Sequence, residues 1–244
     1  MIKYKNIITI FIYKVIWKLK YTFKIKYTNE LFVSKRILEK NFKIDDSFNF
    51  IQIGANDGIS FDFLYDFVVV RKSCGIVVEP INEYYNELVK NYDKFENIVK
   101  VNKAVHPTAT QIEVFKINPS AKDNYPDWVK GIASLDPNHH KKIEIASKDI
   151  ISEMVNAASL SNIIDTYYVG NTVNYFQIDT EGFDFEILKM IDFENMKPLI
   201  IKYESVNLSV RDKSAARQLL ENQGYFVFDE IGDTVGINIS KIKM

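Results

Sequence analysis

Short apolar runs alternate with amphipathic stretches from about residue 47 onward, and this pattern constrains the fold more than any other feature of the chain. The runs at 48–53, 76–78, 98–105 and 173–178 are wholly or largely apolar. After the first, second and fourth of these runs, apolar residues recur at the spacing of one helical face. Strands that are apolar on both faces and separated by helices predict an α/β fold with a doubly wound, mostly parallel sheet.

The C-terminal part of the chain predicts an antiparallel edge for this sheet. A further apolar run lies at 199–203, and the helix after it ends at Gly224, where a left-handed residue is favoured. Two runs at 225–228 and 235–239 are joined by a short Gly-Asp turn, which is typical of a hairpin. We therefore expect residues 30–244 to form one Rossmann-like domain with a C-terminal antiparallel hairpin.

One long segment, residues 118–149, interrupts the alternation because it lacks periodicity and holds three of the six prolines. A long irregular insertion in a compact domain is commonly functional or mobile. We expect this insertion to shape the pocket for an acceptor substrate. An extra strand is predicted just before it, at 111–117, and a helix just after it, at 149–158.

The N-terminal segment, residues 1–29, differs from the rest of the chain in charge. It carries seven lysines and no acid, whereas the remaining residues carry 24 basic and 32 acidic groups. The segment is also rich in isoleucine and aromatic residues, so one interpretation is an amphipathic helix on an anionic membrane surface. The other is a helix that packs on the domain or on a second subunit. The acidic domain argues against nucleic acid as the main partner.

The composition also bears on the cellular compartment of the protein. The single cysteine, Cys74, excludes an internal disulfide and a cysteine-rich zinc site. There is no run of about 20 apolar residues, and no small-residue cleavage site follows the N-terminal apolar stretch. We expect a cytoplasmic protein, with residues 1–29 as a candidate contact to the inner face of the membrane.

The sequence GANDG at 54–58 directly follows the first predicted strand. Glycines at this position let the backbone approach a ligand closely. Glu79 ends the second strand, where a carboxylate can accept the hydroxyls of a ribose. Because the loop is not G-x-G-x-x-G and places Asp57 near the ligand, it favours the cationic S-adenosylmethionine over a pyrophosphate. For the pentapeptide alone, a helix-capping turn is the alternative.

Candidate acid and base groups follow the strand at 173–178. Asp179 and Glu181 belong to the sequence DTEG, where acids can simply favour the start of a helix or can hold or deprotonate a substrate hydroxyl. His139 and His140 in the insertion are further candidate bases, since histidine titrates near neutral pH. Adjacent histidines in an irregular segment are also commonly solvated.

A metal site is an alternative use of these acids. Asp179, Glu181, Glu204 and Asn207 are predicted at or just past neighbouring strand ends, and oxygen ligands suit Mg²⁺ or Ca²⁺. The spacing is not diagnostic, so the sequence assigns no metal.

Three runs, FIQIGANDGISF, VVEP and YFQIDTEGFDFEILKMIDFENMKPLIIKYE, closely resemble the FkbM family of S-adenosylmethionine-dependent methyltransferases. The resemblance extends over roughly residues 48–239. It implies O-methyl transfer to sugars or polyketide-like small molecules, often in glycan biosynthesis. By position, it implies cofactor contacts at Gly54, Asn56, Asp57, Gly58 and Glu79, with Asp179 and Glu181 near the transferred methyl group.

We therefore predict an S-adenosylmethionine-dependent O-methyltransferase that acts on a hydroxyl of a saccharide or related small molecule. One alternative is an NAD-dependent oxidoreductase or epimerase, disfavoured by the missing G-x-G-x-x-G and by the closing hairpin. The other is a non-catalytic, membrane-associated binding module of the same fold, favoured by the basic segment 1–29.

Overall fold

A computed structural model describes residues 2–23, 32–60, 62–170 and 172–244. The strands are β1 (Ser47–Ile53), β2 (Lys72–Val78), β3 (Ile98–Val101), β4 (Ala104–Val105), β5 (Gln111–Ile117), β6 (Ala133–Ser134), β7 (Ile150–Ala158), β8 (Tyr175–Ile178), β9 (Ile200–Glu204), β10 (Phe226–Asp229) and β11 (Asp233–Ile237). The helices are α1 (Ile2–Phe23), α2 (Ser34–Asn41), α3 (Leu64–Val69), α4 (Asn82–Asn91), α5 (His139–Lys142), α6 (Leu160–Tyr167), α7 (Asp184–Lys189) and α8 (Val210–Asn222).

The main sheet has seven strands in the order β10-β11-β9-β8-β1-β2-β3. Strands β9, β8, β1, β2 and β3 pair in parallel, and the hairpin of β10 and β11 adds an antiparallel edge. This confirms the predicted α/β sheet and its C-terminal hairpin. Because β1 leads to β2 on one side and pairs with the later β8 on the other, the strand order reverses beside β1. Ligands of such sheets bind at the carboxyl ends of the strands at this point.

Helices cover both faces of the main sheet, as the apolar runs predicted. Alternate side chains of β1 point to opposite faces, so Ile51 and Ile53 pack in one core and Phe48 and Phe50 in the other. The first core is completed by α6, α7 and α8 and the second by α2, α3 and α4. The strand ends that line the crevice are thus held by rigid packing on both sides.

The helix predicted at 149–158 is wrong, because this segment forms strand β7. Its residues pair antiparallel with β5 along the whole strand, from Gln111 opposite Asn156 to Ile117 opposite Ile150. Val155 and Ala157 are buried while Met154 is exposed, which is the period of two of a strand. In so short a segment, the spacing of apolar residues does not distinguish a helix from a strand. The presence of β5 as a pairing partner favours the strand.

The single strand predicted at 98–105 is divided into β3 and β4. Asn102 lies between them, and its side-chain amide donates to the carbonyl oxygens of Glu79 at 3.0 Å and Pro80 at 3.1 Å. The chain leaves the main sheet there, and β4 joins a second sheet of order β4-β7-β5-β6.

The insertion 118–149 is more ordered than the sequence suggested. It contains three 3₁₀ turns, the short strand β6 and the short helix α5. Since β6 pairs with β5, the insertion is attached to the second sheet and is held in a defined place.

Helix α1 is fastened to the C-terminal end of the chain by Asn6. The side-chain amide donates to the carbonyl oxygens of Ile239 at 2.8 Å and Ile242 at 2.5 Å, and its oxygen accepts from the backbone N–H of Met244 at 3.2 Å. Within the described ranges, no helix is both long and apolar enough to cross a bilayer.

A close backbone contact at the sheet's crevice gives a test of the fold. Gly54 has φ +77°, and a Cβ placed there would lie 1.7 Å from the carbonyl oxygen of Asp179. Gly232 has φ +82° with nothing within 4 Å of such a Cβ, so Gly232→Ala should cost only the backbone strain, about 1 kcal/mol. We expect Gly54→Ala to lower the free energy of unfolding by about 2 kcal/mol more.

Urea denaturation of both variants measures this difference. Equal losses of unfolding free energy in the two variants would contradict the contact between the loop after β1 and the end of β8.

Candidate active site

A cavity of about 570 Å³ lies at the carboxyl ends of β1, β2, β8 and β9, within the usual size range of small-molecule sites. Its walls include the loop after β1, the end of β2 and the DTEG segment after β8. The insertion supplies another wall: Trp128, Gly131, Ile132, Ala133, Leu135, Lys142 and Ile143. The cavity is therefore lined by both the strand ends of the main sheet and the insertion 118–149.

The loop after β1 is held tightly against its neighbours. The backbone N–H groups of Gly54 and Ala55 both donate to the carbonyl oxygen of Val78, at 2.9 and 3.0 Å. Asn56 has φ +50° and donates its backbone N–H to Glu79 Oε2 at 2.9 Å. These contacts fix the loop in place, and Gly54, Ala55 and Asn56 line the cavity.

Glu79 is 5 % exposed and lines the cavity. Its Oε1 accepts from the backbone N–H of Ile81 at 2.8 Å, and its Oε2 accepts from Asn56. Burial raises the pKa of Glu79 to about 7, against the smaller opposing effect of these two hydrogen bonds. Each carboxylate oxygen accepts more than one hydrogen bond, so the fixed group retains acceptor capacity for a pair of hydroxyls.

Asp57 and Gly58, predicted beside the cofactor, do not line the cavity. The Asp57 carboxylate accepts from the backbone N–H groups of Ile59 and Ser60, at 2.9 and 2.7 Å, and from the Ser60 hydroxyl at 2.6 Å. Gly58 has φ +81°, and a Cβ there would lie 2.6 Å from Leu88. Both residues serve the turn and its packing on α4, so Glu79 is the acid that this side of the cavity presents.

Three carboxylates meet on the other side of the cavity. Asp179 follows β8, Glu181 lies two residues further with φ +53°, and Glu204 ends β9. One carboxylate oxygen from each lies within 4.8 Å of the other two. The side-chain amide of Asn207 donates to Glu181 Oε2 at 2.8 Å and to Glu204 Oε1 at 2.9 Å. We call Asp179, Glu181 and Glu204 the carboxylate cluster.

Within the cluster, the charged forms of Asp179 and Glu204 are disfavoured. The Asp179 side chain opens to the cavity, yet protein surrounds its carboxyl group on most sides. Burial raises the pKa of Asp179 well above its usual range, and the nearby charge of Glu181 raises it further. Burial followed by repulsion from Glu181 and Asp179 likewise raises the pKa of Glu204. A carboxylate with a raised pKa is a stronger base than an exposed one.

Of the two predicted histidines, only His139 reaches the cluster. It is 3 % exposed, and its Nε2 lies 3.2 Å from Glu181 Oε2 without hydrogen-bond geometry. His139 does not itself line the cavity. The ring of His140 lies against the carbonyl oxygen of Pro137 and the Ser147 hydroxyl, at 2.9 and 3.0 Å, and so serves the insertion's own structure.

Sequence reasoning missed a polar group on the cavity floor. Gln52 of β1 and Gln177 of β8 are register partners, and the side-chain amides of both donate to Asp62 Oδ2. The sequence does contain an indication of this group, since each glutamine interrupts an apolar run one residue before the end of its strand.

The cavity wall as a whole is acidic. The carboxylates that line it are Asp62, Glu79, Asp179, Glu181, Glu204 and Asp233, whereas the lysines are Lys103, Lys142 and Lys202. Lys202 is already paired with Asp233 at 2.8 Å. Such a wall fits a ligand that carries positive charge and repels a pyrophosphate.

Comparisons with known proteins identify the family of the chain. The model of the methyltransferase FkbM domain matches residues 52–227. The methyltransferase FkbM from Methylobacillus flagellatus KT is 11% identical with a TM-score of 0.50, covering 80% of this chain and 44% of that one, so this chain spans less than half of its length. No curated protein sequence matches the chain.

Two other structures have lower TM-scores. The fibrillarin pre-rRNA processing protein of Methanococcus jannaschii is 13% identical, with a TM-score of 0.41 and coverage of 80% of this chain and 68% of that one. The N-terminal domain of human METTL16, solved in complex with SAH, is 10% identical, with a TM-score of 0.42 and coverage of 84% and 66%.

The matched range 52–227 contains the loop after β1, Glu79, the insertion and the carboxylate cluster. It covers well over half of the chain. The chain belongs to the FkbM family of S-adenosylmethionine-dependent methyltransferases.

Proposed function

We propose that this methyltransferase transfers a methyl group from S-adenosylmethionine to a hydroxyl of a saccharide or related small molecule in glycan biosynthesis. The observation that carries the proposal is the carboxylate cluster, which faces the same cavity as the Glu79 carboxylate. One end can hold a ribose while the other accepts the proton of an acceptor hydroxyl. The half-exposed Trp128 in the insertion wall adds an aromatic face, and an aromatic face beside hydroxyl-binding groups suits a sugar ring.

The cavity residues fit the cofactor. Backbone at Gly54 and Asn56 permits close approach, Glu79 offers acceptors for the ribose hydroxyls, and the acidic wall suits a sulfonium and an ammonium group. When bound, S-adenosylmethionine supplies an electrophilic methyl group on a positively charged sulfur. The same wall disfavours NAD, because its carboxylates outnumber its lysines and would repel a pyrophosphate.

The protein's part in the reaction is to position the hydroxyl and take its proton. With the cofactor bound, the acceptor oxygen would take the methyl group, the electron pair of the carbon–sulfur bond would stay on sulfur, and the hydroxyl proton would pass to a carboxylate. Asp179 and Glu181 both line the cavity and are the candidates for this base. His139 acts through Glu181, because it contacts that carboxylate and not the cavity. Holding the reacting atoms in line supplies much of the remaining acceleration.

Replacing the base tests the assignment. Asp179→Asn should leave S-adenosylmethionine affinity within about threefold of wild type and lower kcat at least about a hundredfold, because general-base catalysis contributes that much. Calorimetry gives the affinity, and transfer of labelled methyl to a panel of saccharides gives kcat. Asp165→Asn, on the exposed face of α6, is the matched control and should behave as wild type.

Unchanged turnover in Asp179→Asn would remove Asp179 from the mechanism. Tight binding of NAD with none of S-adenosylmethionine would end the proposal.

The raised pKa of Glu79 predicts a pH-dependent cofactor affinity. The ribose hydroxyls donate to the ionised carboxylate, so protonation of Glu79 competes with binding. With a pKa of about 7, the Kd should rise about tenfold as the pH falls from 8 to 6 and level off above 8. Calorimetry across this range measures the profile. Glu79→Gln should bind S-adenosylmethionine more weakly than wild type, and its Kd should not change between pH 6 and pH 8. If wild type and Glu79→Gln showed the same dependence of Kd on pH, Glu79 would be excluded as the titrating group.

We also propose that helix α1 holds the enzyme on an anionic membrane surface. Asn6 faces the domain, and the opposite face of the helix exposes large apolar side chains: Tyr4, Ile7, Ile8, Phe11, Ile12 and Val15. At 100° per residue, Lys3 and Lys14 flank this face on one side and Lys5 flanks it on the other. An exposed apolar stripe between lysines, in a segment with no acid, fits a helix lying in the headgroup region.

Liposome flotation tests this contact. Wild type should float with vesicles that contain phosphatidylserine and not with pure phosphatidylcholine vesicles. The double variant Ile8→Glu/Phe11→Glu should lose at least about tenfold in partitioning, since it removes apolar burial and adds repulsion. Val169→Glu/Ile231→Glu makes the same change at exposed positions elsewhere on the domain and should float like wild type.

Equal flotation of the two double variants would overturn the proposal. A stable dimer that Ile8→Glu/Phe11→Glu dissociates would show instead that a second copy covers the face.

A further inference from the structure

The carboxylate cluster places three acidic side chains next to one another. Asp179, Glu181 and Glu204 bring three carboxylate oxygens within 4.8 Å of one another. Among the residues that the structure describes, no lysine or arginine forms an ion pair with any of the three. Lys202 lines the same cavity, but its ammonium group is bound to Asp233 at 2.8 Å and lies 3.7 Å from Glu230. Like charges held this close are unfavourable unless a proton or a cation lies between them.

A buried histidine beside the cluster supplies an independent observation. His139 is 3 % exposed, and neither of its ring nitrogens has a hydrogen-bond partner among the described residues. Its Nε2 nevertheless lies 3.2 Å from Glu181 Oε2, so the unpaired ring is directed at the cluster. Burying an imidazole without partners costs free energy. Within the same residues, Glu204 Oε2 is also buried and without a hydrogen bond.

The surrounding contacts fix the cluster in place. Asn207 ties Glu181 to Glu204 through one amide nitrogen, and the Ser134 hydroxyl donates to the backbone oxygen of Glu181 at 2.8 Å. Ser134 belongs to β6 of the insertion, so the insertion holds Glu181 from the far side. A rigid set of oxygens presented to a cavity is the usual arrangement of a hard-cation site.

We infer that Asp179, Glu181 and Glu204 form a binding site for a divalent cation of the Mg²⁺ or Mn²⁺ type. The ligands are one oxygen from each carboxylate, and the remaining positions face the cavity, where water or an acceptor hydroxyl completes the shell. Asn207 and His139 are positioning residues that orient Glu181. This outer shell matches the way ligating carboxylates are commonly held by neighbouring polar groups.

The cation would deepen the proposed function by lowering the pKa of an acceptor hydroxyl in the cavity, and Asp179 and Glu181 would then serve as its ligands instead of as the free base. That catalytic role rests on the proposed O-methyl transfer, whereas binding of the cation does not. The test is therefore made on the full chain without S-adenosylmethionine and without an acceptor.

Calorimetric titration of the chelator-treated protein with MnCl₂, and separately with MgCl₂, tests the site. Wild type should bind one equivalent saturably, and its Tm should rise with the cation. Glu204→Gln should weaken binding at least about tenfold and abolish the rise in Tm. Glu79→Gln, which removes a carboxylate from the opposite side of the same cavity, is the matched control and should keep the cation affinity within about twofold.

Circular dichroism of the cation-free proteins shows whether each variant is folded. If Glu204→Gln does not fold, Glu181→Gln gives the same comparison, and Glu204→Asp should retain part of the affinity. The inference is overturned if wild type shows no saturable binding, or if Glu204→Gln and Glu79→Gln bind equally well. Cation binding without methyl transfer to any saccharide would refute the proposed function and leave the cation site standing.

Discussion

The parallel pairing of β1 with β8 is the constraint on which the rest of this structure depends. It brings the loop after β1 so close to the end of β8 that only a glycine fits at position 54, against the carbonyl oxygen of Asp179. Because strand order reverses at this pairing, the two strand ends open into one cavity. The groups from β1 and β2 that we propose to bind the cofactor and the acidic groups from β8 and β9 therefore line the same cavity.

Burial then determines the chemistry of the acids. Glu79 is fixed by two backbone donors and carries a pKa near neutrality, so the fraction of the ionised carboxylate that can accept hydroxyl hydrogen bonds changes around pH 7. In the carboxylate cluster, burial and then repulsion from neighbouring carboxylates raise the pKa values of Asp179 and Glu204. A methyltransferase that acts on a weakly acidic hydroxyl needs such a basic group, and a divalent cation would meet the same need.

Much of this fold could be predicted from the sequence, because apolar periodicity and the GANDG and DTEG segments mark the strand ends directly. The sequence prediction was wrong where strand pairing determines the secondary structure. Strand β7 was predicted as a helix, but it pairs along its length with β5. The prediction for Asp57 in the site failed for a related reason. Its carboxylate is used by its own turn, which residue type alone does not reveal. Gln52 and Gln177 lie in register, and only the pairing of their strands brings them together.

The most direct measurement of the central claim is a crystal structure of the protein with S-adenosylhomocysteine. The proposed site predicts that the ribose hydroxyls lie within hydrogen-bond distance of the Glu79 carboxylate and that the sulfur is directed toward the carboxylate cluster. A nucleoside bound away from Glu79, or a sulfur directed away from Asp179, would contradict it.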